Sequence, residues 1–192
     1  MKKIHNFDQV FDSQKLYRIL LEAFANPGRE ISIRQFADKM YGTHPDFLAA
    51  AMTLLDNEVS FYACGETELA EQIISLTLSR EETAREADYL FVPDVRMLAE
   101  LMEQVKCGTL KDPQKSATLF VRADGTERKN FRLMGPGVPE EDCKQLPAAA
   151  EYVLNVRAQQ EYEYPQGVDL VLITEDGLLS ALPRLVSIKE VF

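Results

Sequence analysis

Gly135-Pro136-Gly137, at the end of the strand-like run Phe131–Met134, is the nearest thing in this chain to a phosphate-binding loop. A phosphate cradle needs free backbone N–H groups aimed at the anion and a helix N-terminus behind them. Pro136 has no N–H, and Glu140, Glu141 and Asp142 follow at once. Those carboxylates would repel a phosphate and complement the positive end of any helix starting there. The corner therefore reads as a tight strand exit. Neither G-x-x-x-x-G-K-[ST] nor G-x-G-x-x-G occurs, so the loops those patterns specify are excluded.

Other chemistry is thinly represented. A metal centre would draw on His5 and His44, the two histidines, neither of which has a second ligand at i+3 or i+4, and no C-x-x-C occurs. No metal is expected, and a Ser-His-Asp triad would have to recruit one of the same two side chains. The pairs Glu81-Glu82 and Glu140-Glu141 lie in polar surroundings, whereas an acid–base couple needs burial or mutual coupling to separate its pKa values. Every lysine sits in a polar or terminal context, so none suits a Schiff-base cofactor. No cofactor is expected, and no catalytic residue can be assigned.

Two stretches carry more. "YPQGVDLVLI" runs Tyr164-Pro165-Gln166-Gly167 into an apolar strand with Asp169 near its start, and "SALPRL" ends another strand with Pro183 and Arg184. Such an Asp and Arg can form a buried pair or bind an anion; the plainer alternatives are a backbone cap for Asp169 and a surface salt bridge for Arg184. Arg29 and Arg132 also stand near element ends. Arg184, Asp169 and Arg132 are the ligand-binding candidates.

The elements that must position these residues follow from periodicity. Residues 12–25 place Leu16, Ile19, Leu20, Ala23 and Phe24 on one helical stripe, with Asp12 or Ser13 as N-cap and Asn26-Pro27-Gly28 as the stop. "EISIRQF" alternates loosely as a strand; residues 46–57 read as a buried helix, and "EVSFYAC" as a strand. "ETELAEQIISLTL" is helical, "DYLFV" a short buried strand, and "VRMLAELMEQV" an amphipathic helix closed by Gly108. "SATLFVRADGTERKNFRLMG" gives two strands around Asp124-Gly125, a hairpin signature. "PAAAEYVLNVRAQQ" is a helix, and "GVDLVLIT" a strand that "EDG" turns back into "LLSALPR". The expectation is a three-layer α/β domain whose two hairpins make the sheet mixed. Residues 1–192 form one domain, with 1–10 a flexible N-terminal segment.

Composition agrees with a folded protein. The hydrophobic fraction is 46% and the charged fraction 27%, close to soluble averages. The net charge of −10 and pI near 4.8 argue against a basic nucleic-acid grip or an electrostatic membrane anchor. No stretch approaches the roughly 18 apolar residues of a membrane span, and the N-terminal residues lack a signal-peptide core. Cys64, Cys107 and Cys143, odd in number and far apart, fit a reducing cytoplasm.

Taken in order, "LYRILLEAFANPG", "LLDNEV", "FRLMGPGV", "PQGVDLVLI" and "LPR" resemble the PhnH family of the bacterial carbon–phosphorus lyase system, from about Phe11 onward. The structural motif of the resemblance comprises Pro27, Gly28, Gly135, Pro136, Gly137 and Gly167. Where family members follow Pro-Arg with hydroxyl residues, this chain has Leu185 and Val186. The resemblance implies a fold similar to pyridoxal-phosphate-dependent transferases without the cofactor. It also implies a homodimer that joins PhnG, PhnI and PhnJ and works with PhnL. That assembly transfers a phosphonate to the ribose of ATP with release of adenine, and PhnJ then cleaves the C–P bond. No catalytic residue of PhnH carries over. The chain is thus expected to act through protein interfaces; the alternative is a nucleotide- or phosphonate-binding subunit contributing to the transferase site. A third reading, an independent pyridoxal phosphate enzyme, would require a yellow protein.

Overall fold

The computed structural model describes residues 5–139 and 143–192, so the acids at 140–142 beside the Gly-Pro-Gly corner lie outside the described residues. In chain order the elements are α1 (Phe11–Ala25), β1 (Ile31–Ser32), α2 (Arg34–Ala37), α3 (Pro45–Leu54), β2 (Ser60–Tyr62), α4 (Thr67–Thr77), β3 (Arg80–Glu81), β4 (Tyr89–Val92), α5 (Leu98–Met102), β5 (Thr118–Arg122), β6 (Arg128–Met134), β7 (Cys143–Pro147), α6 (Ala149–Ala158), β8 (Asp169–Ile173), β9 (Leu178–Leu182) and β10 (Ser187–Val191).

Seven strands form a mixed sheet in the order β1-β9-β8-β5-β4-β2-β3. The five from β8 to β3 run parallel, while β9 and β1 are antiparallel additions. Both edge strands are only two residues long, which leaves little unpaired backbone for another chain to join. A second sheet, β10-β6-β7, is small and wholly antiparallel.

The central strands are buried on both faces, which is why they read as unbroken apolar runs. Phe91, Phe120, Val171 and Ile173 point into one core, filled by Leu16 and Leu20 of α1, Phe36 of α2, Phe47 of α3 and Ile73 of α4. Their neighbours Leu90, Val92, Leu119, Val121, Leu170 and Leu172 point into the other. That second core is closed by Leu98 and Leu101 of α5, Val153 and Leu154 of α6, and Phe131, Leu133 and Leu146 of the small sheet. The result is three layers: four helices, the large sheet, then two helices with the small sheet.

Four local expectations are corrected. Asp124-Gly125 does not make a hairpin: β5 already has β4 and β8 as parallel neighbours, so the chain leaves the large sheet after Arg122 and β6 starts the small one. "EISIRQF" is a strand only at Ile31–Ser32, and Arg34–Ala37 turns into helix to bury Phe36. The helix expected over "VRMLAELMEQV" is reduced to one 3₁₀ turn and α5. At α1 the capping carboxylate is that of Asp8, whose Oδ1 accepts the Val10 and Phe11 N–H groups at 2.9 and 2.7 Å. Asp12 is buried instead, paired with Lys39 at 2.7 Å. The β8–β9 hairpin forms across Glu175-Asp176-Gly177, with Gly177 N–H donating to Thr174 O at 2.9 Å. Of the N-terminal segment, Phe7 packs into the first core and Asn6 N–H reaches Lys39 O at 2.9 Å.

Candidate functional site

The turn from Pro183 to Val186 carries the chain from β9 in the large sheet to β10 in the small one, and the glycine-marked stretches of the sequence converge on it. Gly135 has φ +138, and a Cβ there would lie 2.5 Å from Leu185 O. Gly167 has φ +140, and its Cβ would lie 3.1 Å from Arg184 Cβ. Both positions need glycine because an L side chain is strained at these angles and the turn leaves no room for it. Gly28 N–H donates to Ala181 O at 3.0 Å. The Gly-Pro-Gly corner is a closed turn, Val138 N–H donating to Gly135 O at 3.2 Å, with Gly137 beside Ala25 and Pro27. Its position is thus fixed by the end of α1 and the 183–186 turn, as a strand exit would be.

Two arginines and one aspartate grip the same turn. Asp169, at the entry to β8, accepts the Arg184 N–H at 2.8 Å, and its carboxylate meets the Arg184 guanidinium at Nη2 (2.5 Å) and Nε (3.3 Å). Arg184 Nη1 donates to Pro113 O at 2.5 Å. Both the cap and the ion pair weighed for this couple are therefore present in one contact, with side-chain exposures of 19% and 16%.

Arg157, on α6, was not singled out by its sequence position. Its Nη1 donates to Leu182 O at 2.7 Å and Pro183 O at 3.1 Å, and its Nη2 to Val186 O. Only 6% of the residue is exposed, and it has no direct carboxylate partner among the described residues. Burial pushes its pKa down to about 10, against the pull of Asp169 and Tyr162. It stays charged at neutral pH. The signal was legible: position 157 continues the buried stripe Ala150, Val153, Leu154 of α6 at the i, i+3, i+4, i+7 spacing.

Beside these side chains lies a cleft of about 310 Å³, lined among others by Arg157, Tyr162, Tyr164, Gln166, Arg184 and Ser187. The Tyr162 hydroxyl is buried there without a hydrogen-bond partner among the described residues. Burial, then the neighbouring Cys107, push its pKa up to about 12. It is a neutral O–H donor at any physiological pH.

A second cleft, about 380 Å³, opens at the carboxyl ends of β4, β5 and β8, lined among others by Arg34, His44, Asp46, Arg122, Asp124 and Glu175. Ligands of open parallel sheets commonly bind outside these strand ends. Here the floor is already occupied by the protein itself. Arg122 makes a two-pronged pair with Asp46 at 2.6 Å on each prong, at exposures of 12% and 7%. It also donates to Thr174 O at 3.2 Å and lies 4.9 Å above the Phe47 ring. Burial and the adjacent Arg122 lower the His44 pKa, and burial raises that of Asp124.

The remaining candidates lie elsewhere. Arg132, on the small sheet, pairs with Glu190 at 2.7 Å and stacks over Phe192, far more exposed than Arg184. Arg29 pairs with Glu22 at 2.7 Å on the surface. The structure therefore joins Asp169 to Arg184 and leaves Arg132 apart. Among the described residues no group of three His, Cys, Asp or Glu side chains is placed to hold a metal, and no lysine is buried. Cys64 is buried after β2, and burial pushes its thiol up to about 12, so it is no nucleophile. None of the described helices is long and apolar enough to cross a membrane.

Comparison with known proteins bears on the same stretches. Residues 5–189, which include every corner around the 183–186 turn, match the family described as bacterial phosphonate metabolism protein (PhnH). The chain belongs to this family. It is 28% identical over 175 residues to a protein named as a C-P lyase subunit, HtxG, of Stutzerimonas stutzeri, covering 89% of this chain and 83% of that protein. It is 25% identical over 188 residues to the PhnH subunit of alpha-D-ribose 1-methylphosphonate 5-triphosphate synthase of Rhizobium meliloti, covering 95% and 93%.

Proposed function

We propose that this PhnH-family chain is a cytoplasmic subunit of a carbon–phosphorus lyase complex, a homodimer acting mainly through its interfaces. In that complex it supports transfer of a phosphonate to the ribose of ATP with release of adenine. The observation that carries this reading is the end-to-end match to subunits of such systems, over 89% and 95% of the chain. The reading includes partners of the PhnG, PhnI, PhnJ and PhnL kinds, and a fold akin to pyridoxal phosphate enzymes that works without the cofactor. Co-purification with those subunits from a host expressing them all is the test. A clean, partner-free protein from that host would overturn the reading.

A second reading, in which the subunit also binds nucleotide or phosphonate, is favoured by one observation. In a protein of net charge −10, two arginines and one aspartate meet at the wall of a cleft. Arg184→Ala should then lower turnover of the assembled complex while leaving its composition intact. Unchanged turnover, together with no heat on titration with ATP or methylphosphonate, would remove this reading.

A further inference from the structure

We infer that the cleft between α6 and the 183–186 turn is a binding site for one small oxyanion, held by Arg157 and rimmed by Arg184. The inference narrows the second reading above to one place and one ligand class, and rests on it only for the choice of a phosphonate probe.

Three observations converge. First, the donors at the cleft outnumber the acceptors that the protein supplies. A guanidinium carries five N–H groups, and Arg157 has three carbonyl partners, so two N–H groups have no acceptor among the described residues. Arg157 lines the cleft, and an acceptor seated there would be offered these donors.

Second, the charge has the right sign. Asp169 is committed to Arg184 through three contacts, so the cluster of Arg157, Arg184 and Asp169 carries a net positive charge. A buried guanidinium without a bonded carboxylate is an uncommon arrangement, since interior charges are normally paired. An incoming anion completes the pairing.

Third, size selects the class. A volume of about 310 Å³ lies at the bottom of the range of roughly 300–1,000 Å³ in which drug-sized ligands bind. It suits phosphate, an alkylphosphonate or a carboxylate, and is too tight for a whole nucleoside triphosphate. Tyr164, Leu185 and Ile188 on the wall offer apolar surface to a short alkyl group.

The test is a titration of the intact protein with inorganic phosphate, methylphosphonate and acetate, followed by calorimetry and by amide shifts in NMR. At least one of the three should saturate. Arg184→Gln should weaken that ligand about tenfold. Arg96→Gln, which deletes an exposed positive charge far along the chain, should change nothing. Arg157→Gln should abolish binding if it folds; if it does not, Arg184→Gln decides the matter. Methylphosphonate binding more tightly than phosphate and acetate would assign the alkyl wall to an alkylphosphonate. Equal binding of phosphate would keep the site and make it a general oxyanion site. No saturable binding of any probe, or binding indifferent to Arg184→Gln, overturns the inference. The subunit reading would survive that failure, because it stands on co-purification.

Discussion

Arg122 and Arg157 both carry a guanidinium into the interior, and the protein treats them in opposite ways. Arg122 meets a carboxylate prong for prong and stacks on an aromatic ring. Arg157 meets only backbone carbonyls. The cleft at the carboxyl ends of the parallel strands is where the fold alone would put a ligand, yet the Arg122 charge there is already neutralised from within. The cleft at the joint between the two sheets has no such standing in the fold, yet its charge is left open. Position in a fold is thus a weaker guide here than the balance of donors and acceptors.

That contrast can be broken by mutation. Asp46→Ala strands the Arg122 charge in the interior and should cost about 3–5 kcal/mol, read by urea denaturation. Replacing the pair together, with Asp46→Leu and Arg122→Met, should recover most of that loss, because apolar residues of similar volume often substitute for a buried ion pair. Arg157→Met leaves carbonyls without donors but no stranded charge, and should cost about 1–3 kcal/mol. A larger loss for Arg157→Met than for Asp46→Ala would reverse the comparison.

His44 sharpens it through pH. Its folded-state pKa is depressed, by burial and then by Arg122, so folding favours the neutral imidazole. The stability it contributes is present above the unfolded value of about 6.5 and is lost as pH falls through the folded value. Denaturation midpoints should therefore drop as pH falls below about 6.5, and His44→Gln should flatten that part of the profile. The smallest effect belongs to Arg132→Ala. The pair with Glu190 is exposed, and its loss should cost at most about 1 kcal/mol.

The layered α/β architecture could be read from the chain because strands buried on both faces leave long apolar runs that helices separate. Gly177 marked the β8–β9 hairpin correctly, since its turn closes between sequence neighbours. Asp124-Gly125 carried the same local signal and misled, since the choice of partner for β5 is made by β4 and β8, which lie far off in sequence. The site follows the same division. Asp169 and Arg184 stood out because each marks a strand end. Arg157 sits where an apolar residue would continue the stripe of α6, and Arg122 sits two residues after Phe120 on a buried strand. A charge on an apolar stripe was the available clue. Tyr162 gave none, because an unpartnered hydroxyl is visible only in three dimensions.

The order of the strands also bears on how the chain is made. β5 leaves the ribosome able to pair with β4 on one side, but its other edge waits for β8, and in between the whole of β6, β7 and α6 must be synthesised. The small sheet waits longer still, since β6 has its second neighbour only when Ser187–Val191 has emerged. For that interval a strand as apolar as Thr118–Arg122 shows an open edge to other nascent chains. The time for which that edge stays open is set by how quickly residues 123–168 are delivered.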